Sequence, residues 1–429
     1  MKTTLHVGGQ LQPVEIPFGR PIACRPFERS GRVENLHQSV RYALENPCGD
    51  VDKSALGANA KVVIICDDYT RPTPCAEILP AVLEHLFEHG VQEENISILI
   101  GAGFHREMTQ EEKVAKLGAD ICRRFPIYHH DALDQSQLCH LGYTKAGVPM
   151  IVNRRAVQAD FLIGIGVVEI HPWAGFAGGA KILCPGVAGK ETINHTHAMP
   201  VTHENVDIGV TKTNPFWEAI NEVAAAAGLN MVVNVVLNED EDVCCVKAGA
   251  PAQAQAACIQ EFNRFNERVF PERADIVITT ADPKFQYYGQ STIACFGASR
   301  VVKPGGTRIV IAACPEGFGD SQQEIIFYFD SLVRKWSDLD AYWREKRGEG
   351  CDNSRNANAV HRHLKLLQSS GLIMVTQGFP SSTPALASLH TVPTLAQALE
   401  IARSRHGDDA SVITYDRGAM VLPSVSSSL

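Results

Sequence analysis

The segment from Gly164 to His197, GIGVVEIHPWAGFAGGAKILCPGVAGKETINHTH, constrains this chain more than any other. It sets seven glycines, three histidines and a lysine flanked by small residues within 34 positions, between the apolar run that begins at Phe161 and a segment of helical pattern. That is poor core material. An apolar strand that ends in glycines ahead of a helix is where α/β proteins hold anionic ligands, because unpaired backbone N–H groups and the helix dipole point at the bound charge. Lys181 follows Gly178, Gly179 and Ala180, so bulky atoms can approach its backbone closely.

The rest of the chain alternates strands and helices, which predicts two α/β, Rossmann-like domains. The reading places them at 1–271 and 272–429, with the last strand able to return to the first domain. The opening TTLHV-GG-QLQPVEIP reads as a β-hairpin, and helices are expected over Asn35–Glu45, Ala76–His89 and Ala252–Arg268. With 429 residues the chain exceeds one ordinary core. A net charge of −9 without a basic cluster argues against nucleic acid. No apolar run reaches the ~18 residues of a membrane span, and MKTTLHVGGQ is no secretory leader. A cytoplasmic enzyme is expected, with homo-oligomerisation open. The thirteen scattered cysteines form no C-x-x-C pair and read as reduced core filler; Cys184 alone lies within the central segment.

Two further strand ends carry chemistry. KVVIICDDYTRPTP delivers Asp67, Asp68, Thr70 and Arg71 to a strand terminus, with Arg71 suited to forking onto a carboxylate or phosphate; an N-cap with a surface salt bridge is the plainer reading. ISILIGAG leads to His105 and Arg106, followed by a capping box at Thr109 and Glu112. Half of the sixteen histidines lie between His105 and His203, which favours a site there. His129, His130 and Asp131 lack a third partner at metal-ligand spacing and read as structural. GVAGKET fails the P-loop count, and GIGVVE has Glu169 where a dinucleotide fingerprint needs glycine. What remains is a cradled lysine suited to holding an electrophilic carbonyl or thiocarbonyl carbon, with histidines for acid–base work and metal ligation. A pyridoxal-phosphate-type or metal-dependent enzyme using Lys181, a zinc or nickel hydrolase using His105, His171 and His197, and a non-catalytic carboxylate-binding protein all stay open at this level.

The series DYTRPTP, GAGFHREMTQEE, HHDALD, GVPMIVNRRAVQADFLIGIG, EIHPWAGFAGGAK, PGVAGKETI and NHTH resembles the nickel-pincer lactate racemase family, in nearly the same order over residues 60 to 200. The resemblance implies two α/β domains with the active site in the cleft between them. It also implies a nickel-pincer nucleotide, a pyridinium-3,5-bisthiocarboxylic acid mononucleotide carrying nickel, attached covalently to Lys181 and supplied by dedicated cofactor-synthesis enzymes. His197 becomes the nickel ligand, with His195 as the alternative because the Asn-His pair comes two residues early. His105 and His171 become the two general bases of a racemase or C2-epimerase, and Gly178, Gly179 and Thr70 line the cofactor. Asp68, Arg71, Gln290, Trp173 and Tyr288 are the implied substrate contacts. The family's Gln-x-x-Lys appears here as Gln290 followed by Ile293, so the expected substrate is a 2-hydroxy acid other than lactate, larger, aromatic or polyhydroxylated, with Lys284, Tyr287, Tyr288 or Ser291 as compensating groups.

Overall fold

The computed structural model describes residues 1–319, 322–333, 338–339, 355–379 and 389–426. The chain forms two compact units: Glu28–Met199 with His203–Phe265, and Met1–Phe27 with Pro200–Thr202 and Asn266–Leu429.

The first unit is built on a six-stranded sheet. Its order is Val243–Gly249, Leu229–Leu237, Phe161–Val167, Val62–Asp67, Ile96–Gly101, Ile127–His129, and only the Val243–Gly249 edge runs antiparallel. Val62–Asp67 and Phe161–Val167 are buried at every position, as strands covered on both faces must be, and their near-continuous apolar sequences follow from that. The chain leaves Val62–Asp67 toward one edge and comes back on its other side at Phe161–Val167. The carboxyl ends of these two neighbours therefore form a topological switch point, the usual place for a ligand in an open α/β sheet. Gly164 serves this arrangement, because a Cβ there would fall 2.4 Å from the Ile182 side chain. The capping box read at Thr109 and Glu112 starts Gln110–Leu117, and the structure adds side-chain caps at Asn35 for Leu36–Glu45 and at Asn214 for Pro215–Ala226.

His130 shows how the switch-point loops are pinned from beneath. Fully buried, it donates Nε2–H to the Ala188 carbonyl at 2.9 Å and accepts from the Asn153 amide at 3.1 Å. Burial lowers its pKa to about 4. Below pH ~6.5 the unfolded imidazole takes up a proton that the folded one refuses, so stability falls from there down to about pH 4, by at most roughly 1.4 kcal/mol per pH unit from this residue. His130→Gln should flatten that limb of the urea midpoint against pH. An unchanged slope would assign the limb to other groups.

The second unit carries an all-parallel sheet ordered Leu389–Val392, Gly371–Val375, Val302–Ile311, Ala274–Thr280, Ser411–Thr414, Arg20–Pro21. Its membership departs from a division at Pro271. The hairpin Lys2–Val7 and Gln10–Glu15 belongs here: Leu5 and Ile16 join a core with Ile276, Ile278 and Ile309, and the Gly9 N–H donates to Asp282 at 2.5 Å. The closing strand Leu422–Val425 pairs in parallel with Glu267–Phe270 and so stays in this unit. The chain's beginning is what crosses over, because Arg20–Pro21 completes the edge beside Ser411–Thr414. Among the described residues no helix is long and apolar enough to cross a membrane. The closing VSSSL reads from sequence as a frayed tail, but Val425 ends the strand Leu422–Val425 and the Ser426 N–H donates to the Phe270 carbonyl; residues 427–429 lie outside the described residues.

Candidate active site

The end of Val62–Asp67 builds the first wall of the site. Asp67 is buried, ion-paired with Lys116 at 2.6 Å and accepting from the Thr73 hydroxyl at 2.5 Å; Lys116 also donates to the Arg71 carbonyl. This fixes the turn that follows. Within it Asp68 accepts from the Thr70 N–H and hydroxyl with one oxygen, and from His105 Nδ1 at 2.6 Å with the other. Burial opposes the Asp68 charge, yet the His105 hydrogen bond and charge, with help from Thr70 and Arg71, outweigh it and hold the carboxyl below its usual range. A carboxylate on Nδ1 sets the tautomer of His105, leaving its Nε2 lone pair as a base. Asp68 and Thr70, expected at substrate and cofactor, are thus first of all the supports of His105.

Arg71 is ion-paired with Glu169 at 2.6 Å. Glu169 opens the second wall, just beyond Phe161–Val167. There His171 Nδ1 accepts from the backbone N–H groups of Trp173 and Ala174 at 3.2 and 3.0 Å. Its neutral ring therefore carries the proton on Nε2. The two histidines expected as equivalent bases are set differently, one by a carboxylate and one by backbone donors. Trp173 is held in turn through its carbonyl, which accepts from the Asn214 amide at 2.8 Å. Phe216, on the helix that Asn214 caps, lies 6.3 Å from the His171 ring and 5.3 Å from the His197 ring.

Lys181 sits half-buried on the short turn Gly179–Ile182, its N–H donating to the Gly178 carbonyl. The loop after it is laced to the His105 loop, because Gly103 N–H donates to the Gly186 carbonyl and Gly101 passes close under Ile182. Cys184 is core: burial pushes its thiol up to about 12. On the helix Lys190–Thr202, His195 is exposed, whereas His197 is 8% exposed. His197 Nδ1 donates to the Ile193 carbonyl at 2.8 Å, which places the neutral ring's proton on Nδ1. His195 Nδ1 makes the same bond to the Glu191 carbonyl at 2.8 Å, so burial alone separates the two and favours His197. Among the described residues no group of three or more His, Cys, Asp and Glu is placed to hold a metal on its own.

The remaining expected contacts lie in the second unit. Gln290 is half-buried on the helix Tyr288–Ser299, and Ile293 on the same helix is 6% exposed. Tyr288 corrects its expectation. It is 4% exposed, with its ring among Phe318, Phe329, His363 and Phe379, and burial drives its phenol well above the ordinary value, so it is core rather than a substrate contact. Residue-type reasoning missed Glu169, Asn214, Phe216, Asn234 and Gln255. Asn234 carried a signal, a lone amide inside the apolar run MVVNVVL.

Residues 8–209 match the family described as the lactate racemase N-terminal domain. The chain is 34% identical over 288 residues to the lactate racemase of Lactiplantibacillus plantarum, a match covering 66% of this chain and 67% of that protein. It is 29% identical over 388 residues to the lactate racemase of Thermoanaerobacterium thermosaccharolyticum, 89% of each. The fold matches the lactate racemase apoprotein structure from the latter organism with a TM-score of 0.86 at 24% identity, covering 99% of this chain and 100% of that one. A protein of Thermotoga maritima shares the fold more loosely, with a TM-score of 0.66 at 18% identity over 93% of this chain and 100% of that one. On sequence over most of its length, and on fold, this chain belongs to the lactate racemase family and is an isomerase.

Proposed function

We propose that the chain is a nickel-pincer-nucleotide-dependent racemase or C2-epimerase, acting in the cytoplasm on a 2-hydroxy acid other than lactate. One observation carries the reading. Two imidazoles, His105 and His171, are each fixed through Nδ1 on loops of a single switch point that also bears a half-buried amine, Lys181.

The residues fit the cofactor. Lys181 would hold it covalently, Gly178 and Gly179 give its backbone close approach, and His197 Nε2 would complete coordination of a metal whose other ligands the organic group brings. When bound, the group supplies a reversible hydride acceptor for C2. The chain's own residues do the rest. Arg71, anchored by Glu169, receives the substrate carboxylate and so fixes C2 and its hydroxyl; such positioning can supply several kcal/mol, up to roughly 7–11 in ideal cases. His105 Nε2 takes the hydroxyl proton as hydride leaves C2, giving a 2-keto acid. Hydride returning to the other face, with a proton at the carbonyl oxygen, inverts the centre. His171 serves the other enantiomer: it presents Nε2–H to the C2 oxygen as described, and acting there as the base requires Nδ1 to take the proton and give up the bonds from the Trp173 and Ala174 N–H groups.

The deciding experiment uses holoenzyme made beside the cofactor-synthesis enzymes and 2-hydroxy acids deuterated at C2. Hydride transfer keeps the label in both enantiomers, and wash-out into water would overturn the reading. Substrate choice is tested at Ile293, where the family pattern has lysine. Ile293→Lys should raise the preference for lactate over larger hydroxy acids by about tenfold in kcat/KM. An unchanged substrate profile would remove that position from specificity.

A further inference from the structure

We infer that Asn234 and Gln255 are positioning residues for Lys181, two buried amides that clamp the glycine turn beneath it; the inference rests on the reading of Lys181 as the attachment point. Asn234 is fully buried in the strand Leu229–Leu237, otherwise almost wholly apolar, and Gln255 is 1% exposed on the helix Pro251–Asn266. An amide in such a place is costly unless every polar atom is matched. Here each atom is matched, and half of the bonds come from one short stretch of backbone.

Asn234 Oδ1 accepts from the Gly179 N–H at 2.9 Å, and its Nδ2 donates to the Gly166 carbonyl at 3.1 Å and to the Val233 carbonyl at 3.3 Å. Gln255 Nε2 donates to the carbonyls of Ala177 and Gly178 at 3.0 and 3.2 Å, and its Oε1 accepts from Trp217 Nε1 at 3.0 Å. Three consecutive residues, 177 to 179, are thus tied to the central sheet by Asn234 and to the helix Pro251–Asn266 by Gln255, which Trp217 on a second helix orients. Gly178 and Gly179 both have positive φ, 77° and 54°, and glycine is required at each: a Cβ would fall 2.5 Å from Val168 in one case and 2.8 Å from Gln255 in the other. Those glycines bring freedom with them, since nothing in their own backbone selects one conformation. The clamp removes it. Because Lys181 N–H bonds the Gly178 carbonyl, the clamped turn sets the lysine's backbone directly.

The test compares the parent chain with Gln255→Met, Asn234→Leu and Trp217→Phe, the last removing only the hydrogen bond that orients Gln255. In cofactor-less protein, hydrogen exchange across 175–183 should rise about tenfold in the first two variants and less in Trp217→Phe, with exchange in Leu229–Leu237 unchanged. Acetylation of the Lys181 amine by acetic anhydride, read by peptide mass, should change in rate in the same order. In cells that make the pincer, the fraction of chain with the adduct should fall in that order too. A variant that does not fold yields to Trp217→Phe, whose exchange alone decides. Parent-like exchange, acetylation and adduct in the folded variants would overturn the clamp. A parent chain without adduct at Lys181 would instead overturn the attachment reading, while the exchange result would still decide the clamp.

Discussion

Lys181→Arg should give a folded chain with no covalent adduct and no turnover above background, a loss of at least about 10⁴-fold if the hydride acceptor depends on this anchor. Arginine keeps the charge and most of the length, so the half-buried turn it sits on loses little. It does not offer an amine nitrogen that can deprotonate to attack or hold a thiocarbonyl carbon, because its guanidinium stays protonated at any working pH. Intact mass separates the outcomes. Lys190→Arg, on the exposed first turn of the following helix, should keep both adduct and activity and so serves as the control. An adduct that survives Lys181→Arg would place the attachment elsewhere.

His105→Ala and His171→Ala should each lower turnover by roughly 10²- to 10⁴-fold while the adduct stays in place. A racemisation has an equilibrium constant of one, so kcat/KM in the two directions must fall by the same factor whichever histidine is lost. The half-reactions need not. In His171→Ala, one enantiomer should still deliver its hydride in a single turnover, leaving a 2-keto acid that a hydrazine traps; in His105→Ala, the other should. Both variants trapping from the same enantiomer would remove one histidine from the mechanism. Asp68→Asn should approach the loss of His105→Ala, because an amide can present N–H to Nδ1 and force the wrong tautomer. The pH arm follows from Asp68, whose carboxyl is held below its usual range in the folded protein. Its pairing with His105 contributes stability that is fully present above the unfolded value of ~3.9 and is lost as pH falls through the depressed one. Asp68→Asn should lose that part of the acid limb.

Much of this was legible in residues alone. Continuous apolar runs such as VVIICD and FLIGIGV could belong only to covered parallel strands, and the caps at Asn35, Thr109 and Asn214 use side chains adjacent in sequence to the N–H groups they bind. The candidate site was legible where a residue type is chemically rare at a strand end, as with Asp68, Arg71, His105 and Lys181. Supports were not. Glu169 meets Arg71 across 98 positions and Gln255 meets Ala177 across 78, so neither contact leaves a local pattern. Tyr288 was misread for a related reason: an aromatic at the start of a helix near Gln290 looks the same whether it faces a ligand or, as here, Phe318 and Phe329. The return of the hairpin to the second unit was hidden because its anchors, Asp282 and Asp416, lie 274 and 410 positions from their partners Gly8 and His6.

That hairpin has a consequence for synthesis. The segment 28–265 has nearly all it needs once its last helix leaves the ribosome, whereas Arg20–Pro21 must wait for Ser411–Thr414, made long after it. The nascent amino terminus therefore spends most of translation without its permanent neighbours. Shortening the hairpin should leave early protease resistance of the emerging chain intact and harm only what matures after release.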